Sequence, residues 1–390
     1  MVNKNKLRLK FTTFYLLPST FYFSDMLIGI NASSALKENP TGVEEYAYQL
    51  IKHLAVIPES RAHRFILYLN PNLKSSRLKD FENLPENFQI KFLNFPFLWT
   101  QIRLAWEMLI SNIDVLFIPV HILPMVHPKK SVAAFHGLEY EYFPELYPFW
   151  HRIYLRWSTK YALKKSAKII AVSENTKRDL ARIYGASPDK VSVIYHGIEK
   201  VLSIKYHVLS IKKENHILYI GRIELKKNIL GIIESYNKFR TQNPERKNQL
   251  VLAGGKGFGW VKIVQKIEAS EFMKDIFLRG YVSEEEKNEL MKNSAVFLFP
   301  SFYEGFGLPI LEAQGAGVPV IASNTSCLPE IAGRGAVFVD PKSSAEIAQA
   351  LEKVLSNETL RQNLIQDGFE NVKRFSWEKC ARETLKLLTE

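Results

Sequence analysis

The sequence predicts an α/β protein made of two doubly wound domains, each built on a parallel sheet. Three observations carry that expectation. Short apolar segments alternate with helical ones along most of the chain, the pattern of strand–helix–strand units. A strand, a glycine-containing loop and a helix start recur together, most clearly where Ala295-Val296-Phe297-Leu298-Phe299 runs through Glu304-Gly305-Phe306-Gly307 into Leu308-Pro309. At 390 residues the chain is also too long for one ordinary core and suits two.

Composition narrows the class further. A hydrophobic share of 46% is that of a globular protein, and nothing is low-complexity. The two cysteines, Cys327 and Cys380, form no disulfide framework and no metal-ligand spacing, which suits a reducing compartment. No apolar run reaches the length of a membrane span. The net charge of +12, from 52 Lys and Arg against 40 Asp and Glu, favours anionic partners: nucleotide phosphates, an anionic membrane surface or nucleic acid. The chain lacks zinc-finger, helix-turn-helix and aromatic RNA-binding signatures, so nucleic acid is not expected.

Residues 1–25 form a basic, then aromatic, N-terminal extension, resembling a weak signal peptide without a small-residue cleavage site. They read as a disordered extension or as sequence before a true start at Met26. The first domain, 26–198, alternates strands at 27–31, 64–69, 88–93, 114–118 and 131–135 with helices at 42–56 and 100–111. A strand at 169–173 follows, with Ser173 as N-cap of a helix over 174–184. A strand at 191–195 closes the domain, and His196-Gly197 turns out of it into a Lys-rich linker, 198–215. The second domain, 199–373, opens with Ile217-Leu218-Tyr219-Ile220 and carries further strands near 250–253, 277–282 and 318–324, then two polar helices over 345–369. A last helix begins at Phe375-Ser376-Trp377-Glu378 and occupies 374–390.

Residues 140–168 interleave aromatic rings with cations, and two readings compete. One is an amphipathic segment that docks at a lipid headgroup layer. The other is a cleft-side helix whose aromatics pack inward and whose cations are solvated.

The candidate site centres on the strand–loop–helix at 295–313. Gly305 and Gly307 let backbone approach a ligand, and Pro309 suits the first helical position. The new helix offers unpaired N–H groups to an anion. Glu304 and Glu312, with seven residues between them, suit a ligand with hydroxyls at two places and an anion between them, such as a nucleotide-sugar. The blander alternative makes Glu312 a helix-dipole residue and Glu304 a solvated one. The same grammar recurs at Gly221-Arg222, where Arg222 can fork onto phosphate oxygens and Lys227 adds a point charge. His136 ends a strand, where a lone histidine serves structure or function alike.

Glu304-Gly305-Phe306-Gly307-Leu308-Pro309 through Glu312-Ala313 resembles the signature of the retaining nucleotide-sugar glycosyltransferases of family 4, which include sucrose synthases and bacterial mannosyl- and glucosyltransferases. The resemblance runs from about Leu27 to the C-terminus and is strongest over 217–340. Ser323-Asn324 and Leu328-Pro329-Glu330 resemble its mannosyltransferase-like members. It implies the GT-B fold: two Rossmann-like domains facing a cleft, with the last helix crossing back onto the first domain. It also implies no metal and no cofactor. The catalytic set would be Glu304, Arg222, Lys227 and His136. Donor binding would fall to Gly42, Gly221, Arg222, Lys227, Gly305, Phe306, Gly307, Leu308 and Glu312, with the diphosphate on Arg222 and Lys227, the sugar on Glu304 and the ribose on Glu312. The segment 277–282 would pack the base. Two departures stand out: Glu44 and Glu45 replace a common glycine and basic residue, and Gly137 stands where an aspartate is common.

The implied reaction moves a hexose from a nucleoside diphosphate sugar to a saccharide or lipid-linked acceptor with retention, in cell-surface polysaccharide or glycolipid synthesis. GDP-mannose is the first donor expected and a UDP-hexose the next. The expected location is the cytoplasm, with peripheral contact to the inner face of an anionic membrane. The rival readings are a nucleotide-sugar epimerase of the same fold, which lacks the two-glutamate spacing, and a non-catalytic basic binding protein.

Overall fold

A computed structural model of the chain describes residues 25–38, 40–71, 77–199 and 216–390. The expected N-terminal extension up to residue 24, Asn39, and most of the expected linker lie outside the described residues.

The first half folds into a seven-stranded sheet: β1 (Leu27–Asn31), β2 (Arg64–Leu69), β3 (Phe88–Phe92), β4 (Val115–Ile118), β5 (Ser131–Phe135), β6 (Lys168–Ala171) and β7 (Val191–Val193). The order is β3-β2-β1-β4-β5-β6-β7, and every pairing is parallel. The second half folds into a six-stranded parallel sheet: β8 (His216–Ile220), β9 (Gln249–Ala253), β10 (Ile276–Gly280), β11 (Ser294–Phe299), β12 (Val320–Ser323) and β13 (Ala336–Val339). Its order is β10-β9-β8-β11-β12-β13. The strands read as unbroken apolar runs because helices cover both faces: β4, β5, β8 and β11 are buried throughout. Each sheet reverses its winding once, between β1 and β4 and between β8 and β11. Those switch points open crevices at the carboxyl ends of the strands.

Most expected elements fall within two or three residues of the observed ones, the edge strand β13 is not among them, and two differ locally. The helix expected over 100–111 begins with a π turn, Thr100–Leu104, before a short α-helix, Ala105–Ile110. Strand β7 stops at Val193, two residues early, so that Tyr195 and His196 turn toward the aromatic side chains between the sheets. Within 140–168 the aromatic rings do not all pack inward. Tyr140 is buried, whereas the helix Phe149–Lys165 packs through Leu155, Ser158, Thr159 and Ala162 and leaves Phe149 and Trp150 exposed.

The last helix, Trp377–Thr389, is capped by Ser376 and returns to the first half of the chain. There Trp377, Cys380, Ala381, Leu385 and Leu388 join the core beneath the helix Gly42–Val56. Ile198 and Ser376 form a parallel bridge, so the two chain crossings run side by side. Trp377 is 3% exposed. Trp377→Ala should therefore cost about 3–5 kcal/mol of stability. Urea unfolding of the variant beside the parent checks this, and an unchanged midpoint would show that the crossing helix is not an integral part of the first core.

Candidate active site

The second sheet's switch point supplies two loops, Gly221–Asn228 after β8 and Pro300–Gly307 after β11. They are stitched together by the buried Asn228 side chain, which donates to the carbonyls of Pro300 (3.1 Å) and Pro341 (2.6 Å). The Phe302 N–H also donates to the Lys226 carbonyl at 3.2 Å. Across this seam Lys227 Nζ reaches both carboxylate oxygens of Glu304, at 2.6 and 2.7 Å. Glu304 is only 7% exposed, and its backbone is fixed from beneath. Its N–H donates to Ser326 Oγ at 3.1 Å, and the Cys327 thiol lies within 3.2 Å of the Glu304 and Phe306 carbonyls. Burial pushes that thiol's pKa well above its ordinary value, so Cys327 is a neutral donor. Arg222 is exposed and makes no ion pair or side-chain hydrogen bond among the described residues. It is thus a cation free to meet an anion.

The helix Leu308–Gly315 starts at Gly307 without a side-chain cap and carries proline in its first turn. Its N-terminal dipole is therefore unopposed by any capping side chain. Glu312, one turn in, accepts from Lys287 Nζ at 2.8 Å; Lys287 also pairs with Glu284 at 2.8 Å. Burial alone would lower the Lys287 pKa, but the two carboxylates outweigh it and raise it. Glu312 keeps one oxygen clear of that lysine and is about one-third exposed at its side chain (31%). Beyond β10, Tyr281 and Val282 border a groove of about 290 Å³ with Arg279 and Glu286.

The first sheet contributes histidines. His136, just after β5, lies 2.7 Å through Nε2 from the Pro119 carbonyl, which can only accept, so Nε2 carries the proton. Burial depresses this ring's pKa to about 4, with the Pro119 contact and Glu44 opposing in part. Its Nδ1 is buried with no partner, a lone pair ready for a ligand hydroxyl. His121, in the loop after β4, stacks on Phe135 at 5.5 Å and has a buried, unpartnered Nε2. Its pKa is lowered to about 4 by burial first, then by His136 and His151. Gly42 opens the helix Gly42–Val56 with empty space around its Cβ position. Glu44 is occupied as a helix cap, accepting from Thr41 and Lys37; burial would raise its carboxyl pKa, and those contacts bring it below the usual value.

The two sides meet backbone to backbone. Gly137 has φ +123°, and a Cβ there would lie 3.2 Å from the Gly305 Cα; a Cβ on Gly305 would collide with the His136 carbonyl. This is why glycine, not aspartate, occupies 137. Around that contact the Leu138 N–H donates to Tyr303 OH (3.1 Å), which donates to Asp179 (2.9 Å), and Ser173 Oγ donates to the Gly305 carbonyl (2.8 Å). Glu330 accepts the Glu174 N–H at 2.7 Å and the Asn175 N–H at 3.2 Å, at the start of a helix. Lys226 pairs with Glu139 from the other side.

Of the residues singled out from the sequence, Lys227, Glu304 and Gly305 gather beside His136. Phe306 does not offer its ring: the side chain is 5% exposed and packs on His196 at 4.4 Å, leaving only backbone to a ligand. Sequence reasoning missed Lys226, Lys287, Glu139 and His121. His121 alone had a signal, a histidine just past a buried strand; the others are ordinary charges until folding pairs them.

Facing switch points of two parallel-sheet domains, bridged by strand-end loops, compose the GT-B fold. Residues 40–200 match the family described as Glycosyltransferase Family 4, and residues 204–371 match Glycosyl transferases group 1. The chain belongs to these family-4 glycosyltransferases, on their mannosyltransferase-like branch. It is 28% identical over 377 residues to O-antigen chain mannosyltransferase B of Escherichia coli, covering 91% of this chain and 98% of that protein. It is 25% identical to O-antigen chain mannosyltransferase RfbU of Salmonella typhimurium, over 60% of this chain and 63% of that one. Among solved structures, sucrose-phosphate synthase from Thermosynechococcus elongatus superposes with TM-score 0.72 at 18% identity, over 93% of this chain and 98% of that one. WaaG, a glycosyltransferase involved in lipopolysaccharide biosynthesis, superposes with TM-score 0.67 at 15% identity, over 93% and 100%. These structural likenesses carry the fold.

The depressed histidines set a pH dependence. Between their folded pKa near 4 and the usual value near 6.5, the unfolded chain binds more protons than the folded one at His121 and His136. Stability is therefore full above the unfolded value and falls as pH drops toward 4, by roughly 1–3 kcal/mol per site. Thermal unfolding at pH 7 and pH 5 should show the loss, and His136→Gln should remove the share of His136 while leaving that of His121 and of His196, whose burial depresses it likewise. A melting temperature constant over that range would contradict the assignment of neutral, buried rings.

Proposed function

We propose that the protein transfers a mannosyl residue from GDP-mannose to a saccharide or lipid-linked acceptor, with retention, in the synthesis of a cell-surface polysaccharide. The supporting observation is the Lys227–Glu304 pair beside the unpaired Arg222, facing an uncapped helix N-terminus across the switch point of the second sheet. Arg222 and Lys227 take the donor's diphosphate, together with N–H groups around Gly305–Leu308. As phosphate oxygens claim Lys227, Glu304 is freed to accept from sugar hydroxyls. Glu312, steadied by Lys287, accepts from the ribose, and the base lies against the 277–282 segment. His136 Nδ1 accepts from a further sugar hydroxyl.

The chemistry is leaving-group stabilisation. The bond from the sugar's anomeric carbon to the diphosphate oxygen breaks while fixed cations absorb the developing charge. The acceptor oxygen bonds that carbon from the face the diphosphate leaves, and its proton passes to the departing phosphate oxygen. Configuration is thereby retained. The mannosyl assignment is drawn from the two O-antigen mannosyltransferases named above and from the Ser323–Glu330 stretch; the enzyme would work in the cytoplasm at the inner face of the membrane.

Arg222→Ala or Lys227→Ala should slow transfer on the order of 100-fold, about 3 kcal/mol of lost charge-assisted binding at the leaving group, with circular dichroism unchanged. Parental turnover in both variants would remove the diphosphate assignment. Glu312→Ala should mainly raise the donor KM, whereas Glu304→Ala should also lower kcat, because it releases Lys227 and misaligns the sugar.

A thermal-shift series with GDP, UDP, GDP-mannose and UDP-glucose distinguishes the donors. Stabilisation by the GDP compounds is expected, and protection by UDP compounds alone would replace mannose with a UDP-hexose.

A further inference from the structure

Among the described residues, large exposed apolar side chains concentrate on one face of the first domain. The short helix Ala105–Ile110 exposes Trp106 (61%), Leu109 (62%) and Ile110 (61%), and the helix Phe149–Lys165 exposes Phe149 (59%), Trp150 (77%) and Ile153. In the loop before the first of these, Trp99 is a buried anchor donating to the Leu93 carbonyl at 2.7 Å, while Phe97 and Leu98 just before it stay outside; Leu98 has φ +46°. The two helices belong to one surface. Gln101 Nε2 donates to the Leu123 carbonyl (3.1 Å) and lies 3.4 Å from Tyr154 OH, and the Met125 N–H donates to Gln101 Oε1 at 3.1 Å. Tyr161 OH closes the ring by donating to the Met125 carbonyl at 2.8 Å. Met125 itself is 59% exposed.

The longer helix is turned inside out for a soluble protein. Its narrow, partly polar face (Leu155, Ser158, Thr159, Ala162) is the one packed on the domain. Trp150, Ile153 and Trp157, at the spacing of one helical face, point away from it. The helix also carries five Lys and Arg residues and no acid, and Lys160, Lys164 and Lys165 are exposed. On the shorter helix the sole acid, Glu107, is buried and already held by Lys91 and Arg103. Aromatic rings and long cations sharing one outward face suit a lipid headgroup layer, where rings sit at the boundary and ammonium groups meet phosphate. The loop of Met125 also reaches the site, because Pro119, six residues earlier, is the residue whose carbonyl holds His136.

We propose that this face, formed by 97–110, Met125 and the exposed side of Phe149–Lys165, docks the enzyme on an anionic lipid bilayer. It deepens the reading of a lipid-linked acceptor by naming the contact surface, and it presents such an acceptor beside the His136 side of the cleft. The test uses full-length protein and vesicles without donor or acceptor, so its failure leaves the donor assignment standing. Co-sedimentation with phosphatidylglycerol–phosphatidylcholine vesicles should be strong at low ionic strength, weaker in high salt, and weak on phosphatidylcholine alone. Trp106→Glu combined with Trp150→Glu should cut the bound fraction about tenfold, and Lys160→Glu with Lys164→Glu should abolish the preference for anionic lipid. Unchanged thermal unfolding and GDP-mannose binding in each variant show that only the surface was altered. Failure of the parent protein to bind anionic vesicles at low salt overturns the proposal, as does equal binding by the aromatic variant. A parent that sediments as a dimer and becomes monomeric with Trp106→Glu would instead assign the face to a second copy of the chain.

Discussion

The contact between Gly137 and Gly305 is the constraint from which the site follows. Two strand-end loops, one from each sheet, touch through backbone because neither carries a side chain where they meet. Side chains seal the seam around that contact. Ser173, Tyr303 and Glu330 hydrogen-bond across it from three directions, Tyr142 stacks on Tyr303 at 4.3 Å, and His196 packs on Phe306 at 4.4 Å. The same contact sets His136 beside the loop that carries Glu304. Each side alone is an incomplete site.

Charge in the cleft is nearly balanced before any ligand arrives. Lys226 lies between Glu139 and Glu224, and Lys227 is claimed by Glu304. Pairing is what permits five ionised groups to sit in a largely buried space, since removing one partner strands the other at a cost of several kcal/mol. Arg222 is the exception, exposed and unclaimed. On the proposed reading, a diphosphate would gain most at Arg222 and enter an exchange at Lys227, where its oxygens would displace a carboxylate instead of filling a vacancy. That exchange would couple donor binding to the freedom of Glu304, and it would link two residues that read in the sequence as separate contacts.

The sheets were legible because parallel strands covered on both faces are uniformly apolar, and helix starts were legible where a serine cap stands free of other duties, as at Ser173 and Ser376. The proposed donor-side residues could be named from the sequence because glycine loops, a proline and charges stand at fixed offsets from those strands. What the sequence withheld depends on tertiary partners. Nothing in Glu284-Glu285-Glu286-Lys287 says that Lys287 alone turns toward Glu312. Nothing in Phe306-Gly307 says that the phenylalanine ring is spent on His196 and Phe375. The aromatic stretch at 140–168 was ambiguous for the same reason: periodicity sorts residues onto faces of a helix without saying which face the domain covers. There the small and polar face was covered and the aromatic one left outside.

Placing the acceptor follows from the first sheet. Its crevice between β1 and β4 is bordered by the loop that starts at Pro119, passes His121 and reaches Met125 at the outer face. Within seven residues the chain thus goes from the carbonyl that fixes the His136 tautomer, through a second histidine with a buried, unpartnered nitrogen, to the exposed aromatic surface. Both rings are held neutral by burial, so each acts as a hydrogen-bonding group and not as a charge that would compete for the diphosphate. On the proposed reading, cations gather on the donor side and neutral acceptors of hydrogen bonds on the other. That asymmetry favours a sugar hydroxyl approaching from the first domain and a phosphate leaving into the second, which is the direction the transfer requires.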